Sequence, residues 1–248
     1  IVRMKEDTVN SAASEQPFRM PFYINTIKEI VNFMEKNLKK TISLAMLSAI
    51  AFAVMVVGRI PMVMFLKYDP KDVIIAIGGF IFGPLSAFII SVVVSLVEMV
   101  TVSDTGIIGC IMNIISSCSL VCTASYIYNK KRTLSGAVTG LVAGTLLMTA
   151  VMLLWNYLIT PLYMGYPREA VTKLLIPVFL PFNLIKGGIN TAITLLLYKP
   201  VVTALRRAKL IEASENGTPQ SGKIGITLVA VLLLATCVFF ALVLKGII

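Results

Sequence analysis

Asn183, Lys186 and Asn190 recur at i, i+3 and i+7 in the run PFNLIKGGIN, residues 181–190 of an otherwise very apolar chain. At helical periodicity that spacing puts an ammonium and two amides on one face. Facing lipid they would be costly, so the face must turn toward protein, a cavity or a ligand rich in acceptors. Two readings stand side by side. One is a binding site; the other is a lysine snorkelling to the nearby interface, beside asparagines that bond neighbouring helices. Trp155-Asn156-Tyr157 supplies aromatic surface next to an amide, and Tyr68 lies on an earlier loop. If these residues meet, flat apolar faces and fixed amides suit a planar heteroaromatic ligand with carbonyl and ring-nitrogen acceptors. Glu98, deep in another apolar run, is the remaining costly ionisable group. Its options are a pair with Lys186, neutrality, or a wet position near the outer surface.

The elements that must carry these residues follow from composition. Of 248 residues, 57% are hydrophobic and 14% charged, and the mean hydropathy is +0.90. That is too apolar for a water-soluble domain of this size. Apolar stretches approaching the roughly 20 residues needed to cross a bilayer, without polar/apolar alternation, predict an all-α integral membrane bundle rather than a barrel. The net charge of +10 comes mostly from basic residues beside the apolar runs, where topology explains them and nucleic acid need not be invoked. The chain has no histidine, which removes the usual metal ligand and the usual general base near neutral pH. Cys110, Cys118, Cys122 and Cys237 all lie in apolar runs without a CxxC pair. They are expected to pack as small hydrophobes, with no metal site.

Along the chain, residues 1–16 read as a polar tail without a secretory n-region and h-region, so no cleaved signal peptide is expected. Residues 21–40 read as an amphipathic lead-in helix whose lysines (Lys28, Lys36, Lys39, Lys40) predict a cytoplasmic start. Spans are expected over residues 41–59, 72–82, 85–100, 107–128, 134–159 and 181–202. The second is so short that it must be tilted or shielded. Gly83-Pro84 predicts a tight cytoplasmic turn, and Asn129-Lys130-Lys131-Arg132 and Arg206-Arg207 mark the same side again. The proline-punctuated segment between the fifth and sixth spans is read as a lid over the bundle. A linker over residues 210–223 then leads to a seventh apolar run, residues 224–244. The division is therefore 1–40, 41–209, 210–223 and 224–248. Ala45, Ala49 and Ala53 form a small-residue strip on the first span, suited either to packing within the bundle or to an external partner.

In order and spacing, LKYDPKD, GGFIFGP, SDTGIIGCIMN, WNYLITPLY and PFNLIKGGIN resemble the riboflavin-specific S component of energy-coupling-factor vitamin transporters. The resemblance covers about residues 41–209. It implies a six-helix membrane protein that binds riboflavin from outside and works with a transmembrane coupling protein and two cytoplasmic ATPases. It also implies that Asn156, Asn183 and Lys186 hydrogen-bond the flavin ring and ribityl chain, that Leu66, Lys67 and Tyr68 form a covering wall, and that Ala45, Ala49 and Ala53 dock on the coupling protein. The N-terminal extension and the seventh run depart from the pattern and leave the set of partners and the place of the C-terminus open. No GxxxxGK[ST] loop is present, so ATP hydrolysis by that route would belong to partners. The competing expectations are an S component for another vitamin such as thiamine, and a membrane enzyme acting on lipid. The enzyme would need clustered carboxylates, an activated nucleophile or metal ligands, and the sequence offers only scattered acids.

Overall fold

The structure is a computed structural model that describes residues 20–63, 66–103, 105–165, 167–208 and 223–244. The N-terminal tail and the linker before the last helix lie outside the described residues. Two compact units are present, Ile1–Thr41 and Ile42–Ile248. The first is helical over its described residues, with an exposed Glu35–Lys39 pair at 2.6 Å. Such a pair contributes little beyond local helix support.

Helix α1 runs from Met20 to Gly58, so the expected boundary between a lead-in helix and a first span at residue 40 is not a break in the backbone. No glycine or proline falls between Pro21 and Gly58, and the lysines around residue 40 are good helix formers. Within the second unit, α1 buries Ser43, Leu47, Ala51 and Met55, whereas Ala45, Ala49 and Ala53 are exposed. The two stripes are two residues out of step, about 200° apart around the helix. The alanines therefore face away from the protein's own core.

The stretch expected to be a mixed loop is an antiparallel hairpin, β1 (Ile60–Val63) and β2 (Leu66–Tyr68), with Ile60 opposite Tyr68 and Pro61 opposite Lys67. The register shifts between Pro61 and Val63, where proline has no N–H to give the ladder. Helix α2 (Lys71–Phe82) has 12 residues and is buried continuously from Lys71 to Phe80. It resolves its short length by shielding, as an interior helix. Gly83 takes φ 96°, and Pro84 opens α3 (Pro84–Thr101). That is the tight turn the dipeptide predicts, since only glycine adopts such a φ cheaply.

Helices α4 (Gly106–Lys131) and α5 (Leu134–Leu158) follow. A Cβ placed on Gly140 or Gly144 would come within 2.6 or 2.3 Å of the carbonyl oxygens of Ala124 or Leu120. This glycine pair lets the two backbones touch, a small-xxx-small contact the motif reading above does not single out. The expected lid consists of short helices α6 (Thr160–Met164) and α7 (Arg168–Leu174) and a π-helical turn, Leu175–Phe179. The turn feeds α8 (Leu180–Arg207). Helix α9 (Lys223–Leu244) packs along α8 and touches β1. Five helices among the described residues are long and apolar enough to cross a membrane.

Candidate functional site

At the end of the bundle that carries the hairpin, a cavity opens between α3, α4, α5 and α8. Its space is about 960 Å³ when the open mouth and the solvent beyond it are included. Of the residues singled out in the sequence, Leu66, Lys67, Glu98, Trp155, Asn156, Asn183 and Lys186 line it. Tyr68, Asn190 and Tyr157 do not. Tyr157 lies at the surface, with the Arg168 guanidinium 5.6 Å from its ring centre. Tyr68 and Asn190 sit behind the wall, where the Tyr68 hydroxyl donates to Asn190 Oδ1 at 2.9 Å. Of the three polar residues on one face of α8, two therefore reach the cavity and the third braces the hairpin.

Asn156 and Asn183 are each held by the backbone carbonyl four residues earlier in the chain. Asn183 Nδ2 donates to Phe179 O at 2.8 Å, and Asn156 Nδ2 donates to Met152 O at 2.7 Å. Thr160 Oγ1 donates to Asn156 Oδ1 at 2.9 Å. An amide with one N–H committed in this way keeps a second for a ligand acceptor, and the committed bond fixes the rotamer. The carbonyl of Phe179 lies on the π turn immediately before α8, a turn type common at functional sites.

The charges pair differently from the sequence expectation. Glu98 does not meet Lys186. It accepts from Arg59 at the root of the hairpin and from Lys71 at the start of α2. Lys186 does not snorkel; it is buried and lies 3.8 Å from Asp72 Oδ2. Arg59 also donates through Nε to Asp69 at 2.8 Å, so it ties the two ends of the hairpin to α3. Burial alone would lower the pKa of Arg59, but Asp69 and then Glu98 outweigh it and hold the guanidinium above its usual range. The Tyr68 phenol is pushed up by burial first, then by Asp72 and Asp69.

Sequence reasoning did not select Arg59, Asp69, Ser103, Thr105, Asn113 and Ser116, which complete the wall on the side of α3 and α4. Arg59 reads as an ordinary charge at a span boundary. The only trace of Asn113 and Ser116 was their i, i+3 spacing in an apolar helix. Among the described residues, no group of three or more His, Cys, Asp or Glu side chains could hold a metal, and the four cysteines are free.

A multi-pass helical bundle with an open cavity at the hairpin end, apolar over most of its lining and set with amides and charged groups, defines a membrane protein suited to hold a small ligand. Residues 39–198 match the family model described as "ECF transporter, substrate-specific component", and the chain belongs to that family. It is similar to "Riboflavin transporter RibU" of Staphylococcus aureus, 31% identical over 70% of this chain and 95% of the relative. "Riboflavin transporter FmnP" of Bacillus subtilis is 28% identical over 69% of this chain and 98% of the relative. A chain solved under the description "Structure and mechanism of the S component of a bacterial ECF transporter" shares 30% identity at a TM-score of 0.60. It covers 69% of this chain and 99% of its own.

Proposed function

We propose that this chain captures riboflavin from outside the cell as the substrate-binding subunit of an ECF-type uptake transporter. It passes the vitamin on through a transmembrane coupling protein driven by two cytoplasmic ATPases. The observation that carries this reading is the convergence of Asn156, Asn183 and Lys186 on one cavity beside Trp155 and Phe182. A flavin is flat, apolar on its faces and rimmed with carbonyl and ring-nitrogen acceptors, so aromatic walls and fixed N–H donors are its complement. The relatives' printed names point the same way.

Orientation follows from charge. Lys130, Lys131, Arg132, Lys199 and Arg207 gather at the end opposite the hairpin, which the positive-inside rule puts in the cytoplasm together with the N-terminus. The cavity then faces outward. The exposed strip Ala45/Ala49/Ala53 supplies a smooth surface on which a coupling protein's helix can approach closely.

Thiamine fits less well. Arg59, Lys67 and Lys186 line the cavity against two carboxylates, Asp69 and Glu98, that are both ion-paired, and a permanently cationic ligand would be repelled. A lipid-modifying enzyme would need a free acid or base, and those carboxylates are committed. The test is isothermal titration of the purified chain with riboflavin and with thiamine. Binding of one riboflavin, with flavin colour and fluorescence on the protein, is expected. Binding of thiamine alone, or of neither, overturns the reading.

A further inference from the structure

Beneath the cavity wall lies a carboxylate that touches no part of the cavity and yet meets the groups on both sides of it. Asp72, in the first turn of α2, is wholly buried. Its Oδ1 accepts from Ser117 of α4 and its Oδ2 accepts from Asn190 Nδ2 at 3.3 Å. Asn190 in turn accepts the hydroxyl of Tyr68, the strand neighbour of the wall residues Leu66 and Lys67. On the other side, Asp72 Oδ2 lies 3.8 Å from Lys186 Nζ, whose side chain is 7% exposed and lines the cavity.

We propose that Asp72 is the positioning residue of the ligand cavity: it serves as the buried counter-ion that keeps Lys186 aimed into the cavity, and it ties that lysine through Asn190 to the hairpin. A buried ammonium needs a counter-charge, and among the described carboxylates only Asp72 stands within ion-pair distance of Lys186. Glu98 and Asp69 are taken by Arg59, and Glu98 also by Lys71. The 3.8 Å separation lies within ion-pair range but beyond a hydrogen bond. The ammonium therefore retains its N–H groups for a ligand acceptor while its charge stays balanced. Ser117 and Asn190 hold the carboxylate from two further helices, so it cannot swing toward the cavity and compete with the ligand.

The inference rests on the flavin reading of the cavity, and the test separates the two. Riboflavin affinity is measured by fluorescence titration on the full chain, on Asp72→Asn, on Lys186→Met and on the double variant. Asp72→Asn is expected to weaken binding by at least about tenfold, because it leaves the lysine charged, buried and unpaired. The double variant is expected to bind no more weakly than Lys186→Met alone, since Asp72 acts through the lysine. A purely structural aspartate would give losses that multiply, and that result, or an unchanged affinity in Asp72→Asn, overturns the proposal. If Asp72→Asn does not fold, the double variant, which buries no unpaired charge, is compared with Lys186→Met: equal affinity supports the proposal and a further loss overturns it. If the unmodified chain does not bind riboflavin, the flavin reading fails on its own. Thermal unfolding of the same four proteins then decides the pair: a double variant more stable than Asp72→Asn supports the counter-ion role, and one equally or less stable overturns it.

Discussion

Asn183 is held by one N–H to the carbonyl of Phe179 and turned so that the rest of its amide faces the cavity. Removing it should leave a buried ligand acceptor without its donor. Asn183→Ala is therefore expected to weaken riboflavin binding by about 1–3 kcal/mol, read by isothermal titration. Unchanged affinity would remove this face of α8 from the site. Tyr68 belongs to the scaffold behind the wall, and its role is visible in alkali. Its phenol is raised in the folded protein by burial and then by Asp72 and Asp69. The unfolded chain releases that proton near pH 10, where the native state still holds it. The stability contributed by Tyr68 is therefore complete below about pH 10 and is lost as pH rises above it. Thermal unfolding in detergent between pH 8 and 11 should fall more steeply for the unmodified chain than for Tyr68→Phe. Parallel curves would contradict a phenol pushed up by burial and the two neighbouring carboxylates.

Two elements carry separable jobs. The alanine strip of α1 points away from the core residues Leu47, Ala51 and Met55, so bulk added there should not disturb the cavity. Ala49→Trp is expected to leave riboflavin affinity intact in the isolated protein and to abolish uptake in cells that contain the coupling complex. Loss of affinity in the isolated variant would refute this separation. Helix α9 presents the opposite case. Leu234 and Cys237 pack on the cluster formed by Leu66, Tyr68, Phe182 and Ile185, and Cys237 Sγ lies 2.6 Å from where a Cβ on Gly188 would stand. The helix thus leans on both the hairpin and the helix that carries Lys186. Truncation after Glu212 is expected to leave a folded protein whose riboflavin affinity falls by several-fold, as the wall behind the site loosens. Full affinity in the truncated protein would make α9 a mere accessory.

For the molecule as a whole, the turns alternate between two ends. The hairpin, the α3–α4 turn and the segment between α5 and α8 lie at one, and the basic connections lie at the other. On the proposed orientation, with the basic end in the cytoplasm, α9 would return along α8 to the outer side. A cysteine added beyond Leu244 should therefore react with a membrane-impermeant maleimide on intact cells. Protection there, with labelling only after lysis, would reverse the end of the topology.

Sequence alone determined that the chain is a helical membrane bundle, because hydropathy and span length are local properties that a bilayer reads directly. It placed the Gly83-Pro84 turn, since positive φ and a proline at the first helical position are written in two adjacent residues. Through the motifs in LKYDPKD, WNYLITPLY and PFNLIKGGIN it also reached six of the cavity's lining residues, Leu66, Lys67, Trp155, Asn156, Asn183 and Lys186. It could not decide between a binding face and snorkelling for Lys186, or find the partner of Glu98. Those answers depend on residues 39 and 114 positions away in the chain, Arg59 and Asp72. Nor could periodicity separate Asn190 from Asn183, which share a helix face but end at different depths beneath the hairpin. Only the packing of α2 inside the bundle settled which amide lines the cavity and which holds the wall. A buried charge takes the partner that tertiary structure brings within reach, and no local pattern records that choice.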